Sequence, residues 1–267
     1  MSPPPVVLTV AGTDPSGGAG VAADLRTFAA LRVHGALAVA VVTAQDGDTV
    51  SAVRPCPPEL LDAQIAAVSG SMAISATKTG LLATAANAEV VAARRADLGV
   101  LVVDPVLRAS SGSTLVEDAM AQAYLRSLVP LATVVTPNLA EAEALTGRRV
   151  SDLKDMRQAA ALLVEAGAGV AVVTGGHLAG GPIDVFFDGS QWAELAGARV
   201  VSENNRGTGC TFSAALAAEM ALGRSPLEAT RRAGELVRRA LAGSAAWGIA
   251  AGPGPLDQLG WGSAAPT

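Results

Sequence analysis

Short apolar runs and amphipathic stretches alternate along this chain in a way that predicts a layered α/β fold. Almost fully apolar runs near residues 6–11, 36–43, 73–78, 100–103, 132–136 and 170–174 read as strands buried on both faces. Helical periodicity fills the intervals near 18–32, 57–69, 87–96, 113–128, 139–146 and 152–166. Strands separated by helices in this manner predict a mostly parallel sheet with helices on both faces. A hairpin follows, 183–187 and 191–195 about the turn Asp188-Gly189, and two helices near 208–222 and 226–242 close the chain. No linker, repeat or low-complexity block interrupts the alternation, so residues 1–267 read as one domain.

Composition narrows the class. Half of the 267 residues are hydrophobic, much of that Ala and Val, which suits close helix–sheet packing. No run of about 18 strongly apolar residues predicts a membrane span, and Met1-Ser2-Pro3-Pro4-Pro5 lacks the basic region of a signal peptide. Cys56 and Cys210 lie in unrelated contexts and suggest no disulfide framework, so a cytoplasmic setting is expected. A net charge of −5 with three Trp, one Tyr and four Phe argues against a nucleic-acid surface.

The chemistry gathers where strands end. In a doubly wound sheet, ligands bind at the carboxyl ends of the strands. There the sequence places Gly12-Thr13-Asp14, Gln45-Asp46-Gly47, Lys78-Thr79-Gly80, Asp104-Pro105, Thr136-Pro137-Asn138 and Thr174-Gly175-Gly176-His177. Arg206-Gly207-Thr208-Gly209-Cys210-Thr211 adds a glycine turn before an alanine-rich helix. Such a turn collects free N–H groups and the positive end of a helix dipole, which suits an anion. The first helix opens in the same way after Ser16-Gly17-Gly18-Ala19-Gly20. That first turn lacks dinucleotide-binding spacing, and no Gly-Lys-Ser/Thr follows it to mark a P-loop. On pattern alone Asp24 reads as a solvated helix residue, and His34 as a helix C-terminal charge.

These motifs together carry a resemblance. Ala11-Gly12-Thr13-Asp14-Pro15-Ser16-Gly17-Gly18-Ala19-Gly20, Val42-Thr43-Ala44-Gln45, Val103-Asp104-Pro105-Val106, Pro137-Asn138-Leu139-Ala140-Glu141, Gly207-Thr208-Gly209-Cys210 and Gly252-Pro253-Gly254-Pro255 occur in order over nearly the whole chain. The chain is similar to the hydroxymethylpyrimidine/phosphomethylpyrimidine kinases of thiamine synthesis, within the ribokinase-like superfamily. The resemblance implies a ribokinase-like sheet with little or no lid, a homodimer, and two phosphorylations of an aminopyrimidine by ATP with Mg2+. It assigns the ring to Gln45, Gly12, Asp24, Leu81 and Val106. An amide offers a donor and an acceptor together, which suits such a ring. Asp104 and Glu141 match the Mg2+ positions, with Asn138 beside them. Gly207, Thr208, Gly209 and Cys210 match the anion hole, and the helix terminus is expected to lower the Cys210 pKa.

Three departures stand out. The family's Lys-Gly-Gly-His reads Thr174-Gly175-Gly176-His177, its Thr-Lys-Asn-Thr-His reads Ser202-Glu203-Asn204-Asn205-Arg206, and its Ala-Lys-Ser-Gly reads Ala109-Ser110-Ser111-Gly112. Lysines expected near the triphosphate are therefore missing at Thr174, Glu203 and Ser110, and Arg108 and Arg206 are the expected replacements. A pyridoxal or pyridoxine kinase, and a pyrimidine-binding paralogue with weakened turnover, stay open as alternatives.

Overall fold

The computed structural model describes residues 3–46, 49–108, 116, 119–176, 178 and 181–263. Its strands are β1 (Val6–Gly12), β2 (His34–Gln45), β3 (Val50–Pro55), β4 (Ile74–Thr79), β5 (Val100–Val103), β6 (Val134–Val135), β7 (Ala171–Val173), β8 (Ile183–Phe187) and β9 (Trp192–Ala196). They form one sheet in the order β3-β2-β1-β4-β5-β6-β7-β8-β9. The strands from β2 to β7 in that order run parallel, while β3, β8 and β9 pair antiparallel at the two edges.

Among the described residues, eight helices cover the two faces: α1 (Gly20–Ala30), α2 (Pro58–Ser69), α3 (Ala85–Ala93), α4 (Met120–Ala123), α5 (Leu139–Thr146), α6 (Leu153–Glu165), α7 (Thr208–Ala221) and α8 (Pro226–Ser244). The strands' period of two decides which core each residue joins. Leu8, Leu101, Val103, Val135 and Val173 pack with Leu61, Val91, Met156 and Leu163 of α2, α3 and α6. Their neighbours Val7, Val102, Val134 and Val172 pack on the other face with Phe28 of α1, Leu236 of α8 and the α7 run Ala214-Ala215-Leu216-Ala217-Ala218. Alanines let α7 lie close to the sheet, and this fixes the height of its N-terminus.

The predicted layers hold, with local differences. β3 is absent from the expected elements because Val50–Pro55 has no fully buried residue, so it shows no buried apolar run. The strand expected at 132–136 contracts to Val134–Val135, with Pro137 close behind. The helix expected at 113–128 is described as α4 followed by one π-helical turn, Tyr124–Leu128. Residues 113–115 and 117–118 lie outside the described residues, as do Gly47, Ala109-Ser110-Ser111-Gly112 and His177.

Local chemistry explains where helices begin. Thr84, Asp152 and Ser225 accept hydrogen bonds from the first turns of α3, α6 and α8. Asn138 and Glu141 form a reciprocal capping box on α5. Gly207 opens α7 in the left-handed region and offers no side-chain cap. The donors that side chains satisfy on these other helices stay available on α7.

One half-buried carboxyl makes stability depend on pH. Asp184 Oδ1 accepts from the Gly175 amide at 3.0 Å. Burial raises its pKa from 3.8 to about 6, although that hydrogen bond and Arg238 pull the other way. The folded state therefore holds this proton more tightly than the unfolded chain. Stability from it is complete below pH 3.8 and is lost as pH rises through 6. Asp184→Asn is expected to raise the thermal midpoint at pH 7.5 and to flatten its dependence between pH 4 and 6.

Candidate active site

Two glycine turns interlock above the sheet. Asp14, following β1, organises the first: its Oδ1 accepts from Ser16 N at 3.0 Å and its Oδ2 from Ala19 N at 2.9 Å. Gly20 has φ +59°, and a Cβ there would lie 2.2 Å from Gly12 O. Gly207 has φ +81°, and a Cβ there would lie 2.1 Å from Gly18 O. Both positions need glycine for conformation and for clearance. The uncapped start of α7, carrying Thr208, Gly209 and Cys210, is thereby pressed against the turn that starts α1.

A buried polar chain runs beneath these turns. Lys78, at the end of β4, places Nζ 2.9 Å from Asp24 Oδ2 and 3.9 Å from Asp104 Oδ2. Thr9 Oγ1 donates to Asp24 Oδ2 at 2.6 Å, and Ser213 Oγ of α7 donates to Asp104 Oδ2 at 2.9 Å. Burial favours neutral Lys78, but Asp24, with Cys210 and Asp104 near it, overrides this and holds the ammonium above its ordinary pKa. Burial raises Asp24, against the pull of Lys78 and Thr9. Asp24 is 0 % exposed, so the solvated-helix reading is wrong: its partner lies 54 residues away, beyond any helix-surface pattern.

Two further expectations change. Burial pushes the Cys210 thiol up to about 12, with Asp24 and Asp104 adding to it, against the pull of Lys78 and the Gly20 amide. The helix terminus does not make a thiolate here; at neutral pH the group is a thiol. Arg206 is turned inward rather than offered at the surface. It is 2 % exposed, with Nε 2.8 Å from Asp14 Oδ2 and Nη2 2.8 Å from Gln45 Oε1.

The other expected residues fall into two groups. On the ring side, Gln45 Nε2 donates to Thr13 O at 3.3 Å, and Gly12 and Leu81 are neighbours. Val106 lies partly buried against the core. On the acidic side, burial and Asp104 raise Glu141 to about 8, while its Oε2 accepts from Asn138 N at 2.9 Å. Burial likewise raises Asp104, against Lys78 and Ser213. Thr174 pairs with Asn138 through a parallel backbone bridge.

Sequence reasoning assigned no role to Lys78 or Ser213. The signal for Lys78 was a charge at the end of an otherwise buried strand, which requires a buried partner. Ser213 gave no comparable signal, being one hydroxyl in an alanine-rich helix.

Fold and site together define a kinase of the ribokinase-like class. Residues 14–257 match the family model described as phosphomethylpyrimidine kinase. Over 259 residues the chain is 41% identical to the hydroxymethylpyrimidine/phosphomethylpyrimidine kinase of Streptomyces coelicolor, covering 97% of this chain and 95% of that one. It belongs to the phosphomethylpyrimidine kinase family. Among solved structures, pyridoxal kinase from Staphylococcus aureus in complex with ADP matches with a TM-score of 0.88 at 33% identity, over 97% of this chain and 95% of that one. Phosphomethylpyrimidine kinase from Clostridium difficile matches with a TM-score of 0.77 at 30% identity, over 87% and 97%. No described helix is long and apolar enough to cross a membrane.

Proposed function

We propose that this kinase transfers the γ-phosphoryl group of ATP to 4-amino-5-hydroxymethyl-2-methylpyrimidine, and then to the resulting monophosphate, in thiamine synthesis. The observation that carries the reading is the 2.9 Å hydrogen bond from Ser213 to Asp104. It fastens the first turns of the uncapped α7 helix to the acidic strand end, so an anion site and a carboxylate pair share one small volume. The same reading includes a homodimer working in the cytoplasm.

In the first transfer, the hydroxymethyl oxygen bonds to the γ-phosphorus, the bond to the β-phosphate oxygen breaks, and the hydroxyl proton is released. The Gly207-Thr208-Gly209-Cys210 amides supply preorganised donors to the charge that builds on the transferring group. Cys210, protonated, serves as a small wall of the hole rather than as the base. The second transfer starts from a phosphate oxygen already ionised and needs little proton removal. Gln45, Gly12, Leu81 and Val106 frame the ring, and Asp24 acts from beneath through Lys78.

Asp104 and Glu141 fit Mg2+. They are hard oxygen donors, both raised chiefly by burial, and the Asp104 charge raises Glu141 further, a conflict that a cation would relieve. No cluster of three or more His, Cys, Asp or Glu able to hold a metal occurs among the described residues, which suits an ion completed by water and phosphate. When bound, the ion neutralises phosphate charge. With Arg206 withdrawn, the exposed Arg108 is the remaining arginine offered for the triphosphate, and Asn138 and Thr174 border the same side.

The test mixes purified protein with Mg-ATP and hydroxymethylpyrimidine, or with pyridoxal, and follows products by mass. Mono- and diphosphate formation is the expected result. Pyridoxal phosphate as the sole product would replace this reading with the alternative that the structural likeness to pyridoxal kinase favours. Pyrimidine binding without turnover would identify a weakened paralogue.

A further inference from the structure

We infer that Arg206 is a positioning residue that fixes which end of the Gln45 amide meets the substrate, and so sets the choice between rings. This rests on the pyrimidine-kinase reading above. A glutamine side chain can be turned over at almost no cost in shape, exchanging its donor and acceptor ends. Here both orientations are not equivalent. Arg206 Nη2 can only donate, and it lies 2.8 Å from Oε1 of Gln45. Thr13 O can only accept, and it lies 3.3 Å from Nε2. Flipping the amide would set NH2 against guanidinium and carbonyl against carbonyl.

The guanidinium is itself held firmly. Its Nε donates to Asp14 Oδ2 at 2.8 Å, and that carboxylate also accepts from the amides of Ser16 and Ala19. The Arg206 stem lies so close to Gly18 that a Cβ there would be 2.7 Å from Cδ. The Arg206 backbone amide donates to Gly254 O at 3.0 Å, which gives the Gly252-Pro253-Gly254-Pro255 segment a role in seating this residue. Arg206 therefore couples the first glycine turn, the C-terminal segment and the ring-binding amide.

With one lone pair and one hydrogen already engaged, Gln45 retains one acceptor position on Oε1 and one donor hydrogen on Nε2. Its complement is an edge with a donor beside an acceptor. A 4-aminopyrimidine has such an edge in its exocyclic amine and adjacent ring nitrogen. The phenolic oxygen and aldehyde of pyridoxal present chiefly acceptors, which satisfy Nε2 and leave Oε1 unmatched. A site built to hydrogen-bond one group rejects an analogue lacking it through the partner left unpaired.

The experiment titrates hydroxymethylpyrimidine and pyridoxal calorimetrically into nucleotide-free protein. Three proteins are compared: unmodified, Arg206→Lys and Gln45→Glu. Arg206→Lys keeps a cation for Asp14 and loses the second arm to Gln45. It is expected to weaken pyrimidine binding about tenfold, the equivalent of 1.4 kcal/mol, while changing pyridoxal binding less than about threefold. Gln45→Glu keeps a partner for Arg206 but has no donor. It is expected to lose pyrimidine affinity by more than about tenfold with its thermal midpoint preserved, so it carries the test if Arg206→Lys does not fold. An unchanged pyrimidine-to-pyridoxal ratio in a folded Arg206→Lys protein, or unmodified pyrimidine affinity in Gln45→Glu, overturns the inference. Failure of the unmodified protein to bind pyrimidine at all has a different signature and overturns the functional reading together with it.

Discussion

Lys78→Met is expected to destabilise the protein by about 3–5 kcal/mol, read as a lower urea midpoint with little change in slope. Methionine fills much of the lysine's volume, so the loss would come from charge rather than from a cavity. Among the described residues, Asp24, 0 % exposed, would keep only Thr9 as a side-chain donor, and Asp104 would keep Ser213. Removing one member of a buried pair costs far more than the pair contributes when both are present. The double variant Lys78→Met, Asp24→Asn should therefore recover much of the loss. A single variant as stable as the unmodified protein would show that the ammonium is not what keeps Asp24 in place.

Gly207→Ala is expected to lower kcat by about a hundredfold or more, the scale for displacing a donor in an oxyanion-type hole. The added Cβ would sit 2.1 Å from Gly18 O, in a backbone conformation that side chains avoid. One of the two turns has to move, and either movement takes the α7 amides away from the reacting phosphate. Pyrimidine affinity in the absence of nucleotide should fall by less than kcat, because the turn reaches the ring side through the Arg206–Gln45 contact, whose loss alone is expected to cost about tenfold. Equal losses in kcat and in pyrimidine affinity would mean that the turn's role is to shape the ring pocket.

Much of the architecture was legible because burial on both faces writes a strong signal. Continuous apolar runs such as Val7-Leu8-Thr9-Val10-Ala11 marked the parallel strands, and the glycine turns marked the ends that carry chemistry. β3 was not legible, since an exposed edge strand owes its existence to pairing with β2 rather than to its own pattern. Within the site, Gly207, whose role follows from a local motif, was found as a turn, whereas the capping box that Asn138 and Glu141 form was not read. Residues defined by a distant partner were misread. Asp24 looked solvated until Lys78 was placed beside it, and Arg206 looked like a phosphate ligand until Asp14 and Gln45 closed around it. The Cys210 pKa failed for a related reason. A helix terminus is visible in sequence, whereas the two carboxylates and the burial that oppose it are not.

The alanine row of α7 ties maintenance of the core to the speed of the reaction. Ala214, Ala215, Ala217 and Ala218 are each 0 % exposed, four residues or more downstream of the hole that opens the same helix. A larger side chain anywhere in that row would lift the rod, and its tip would travel with it. Evolution has therefore had little freedom to repack this layer without retuning turnover, and a turnover assay becomes a sensitive gauge of distant packing. The movable parts of such an enzyme must be sought in elements that do not rest on that row.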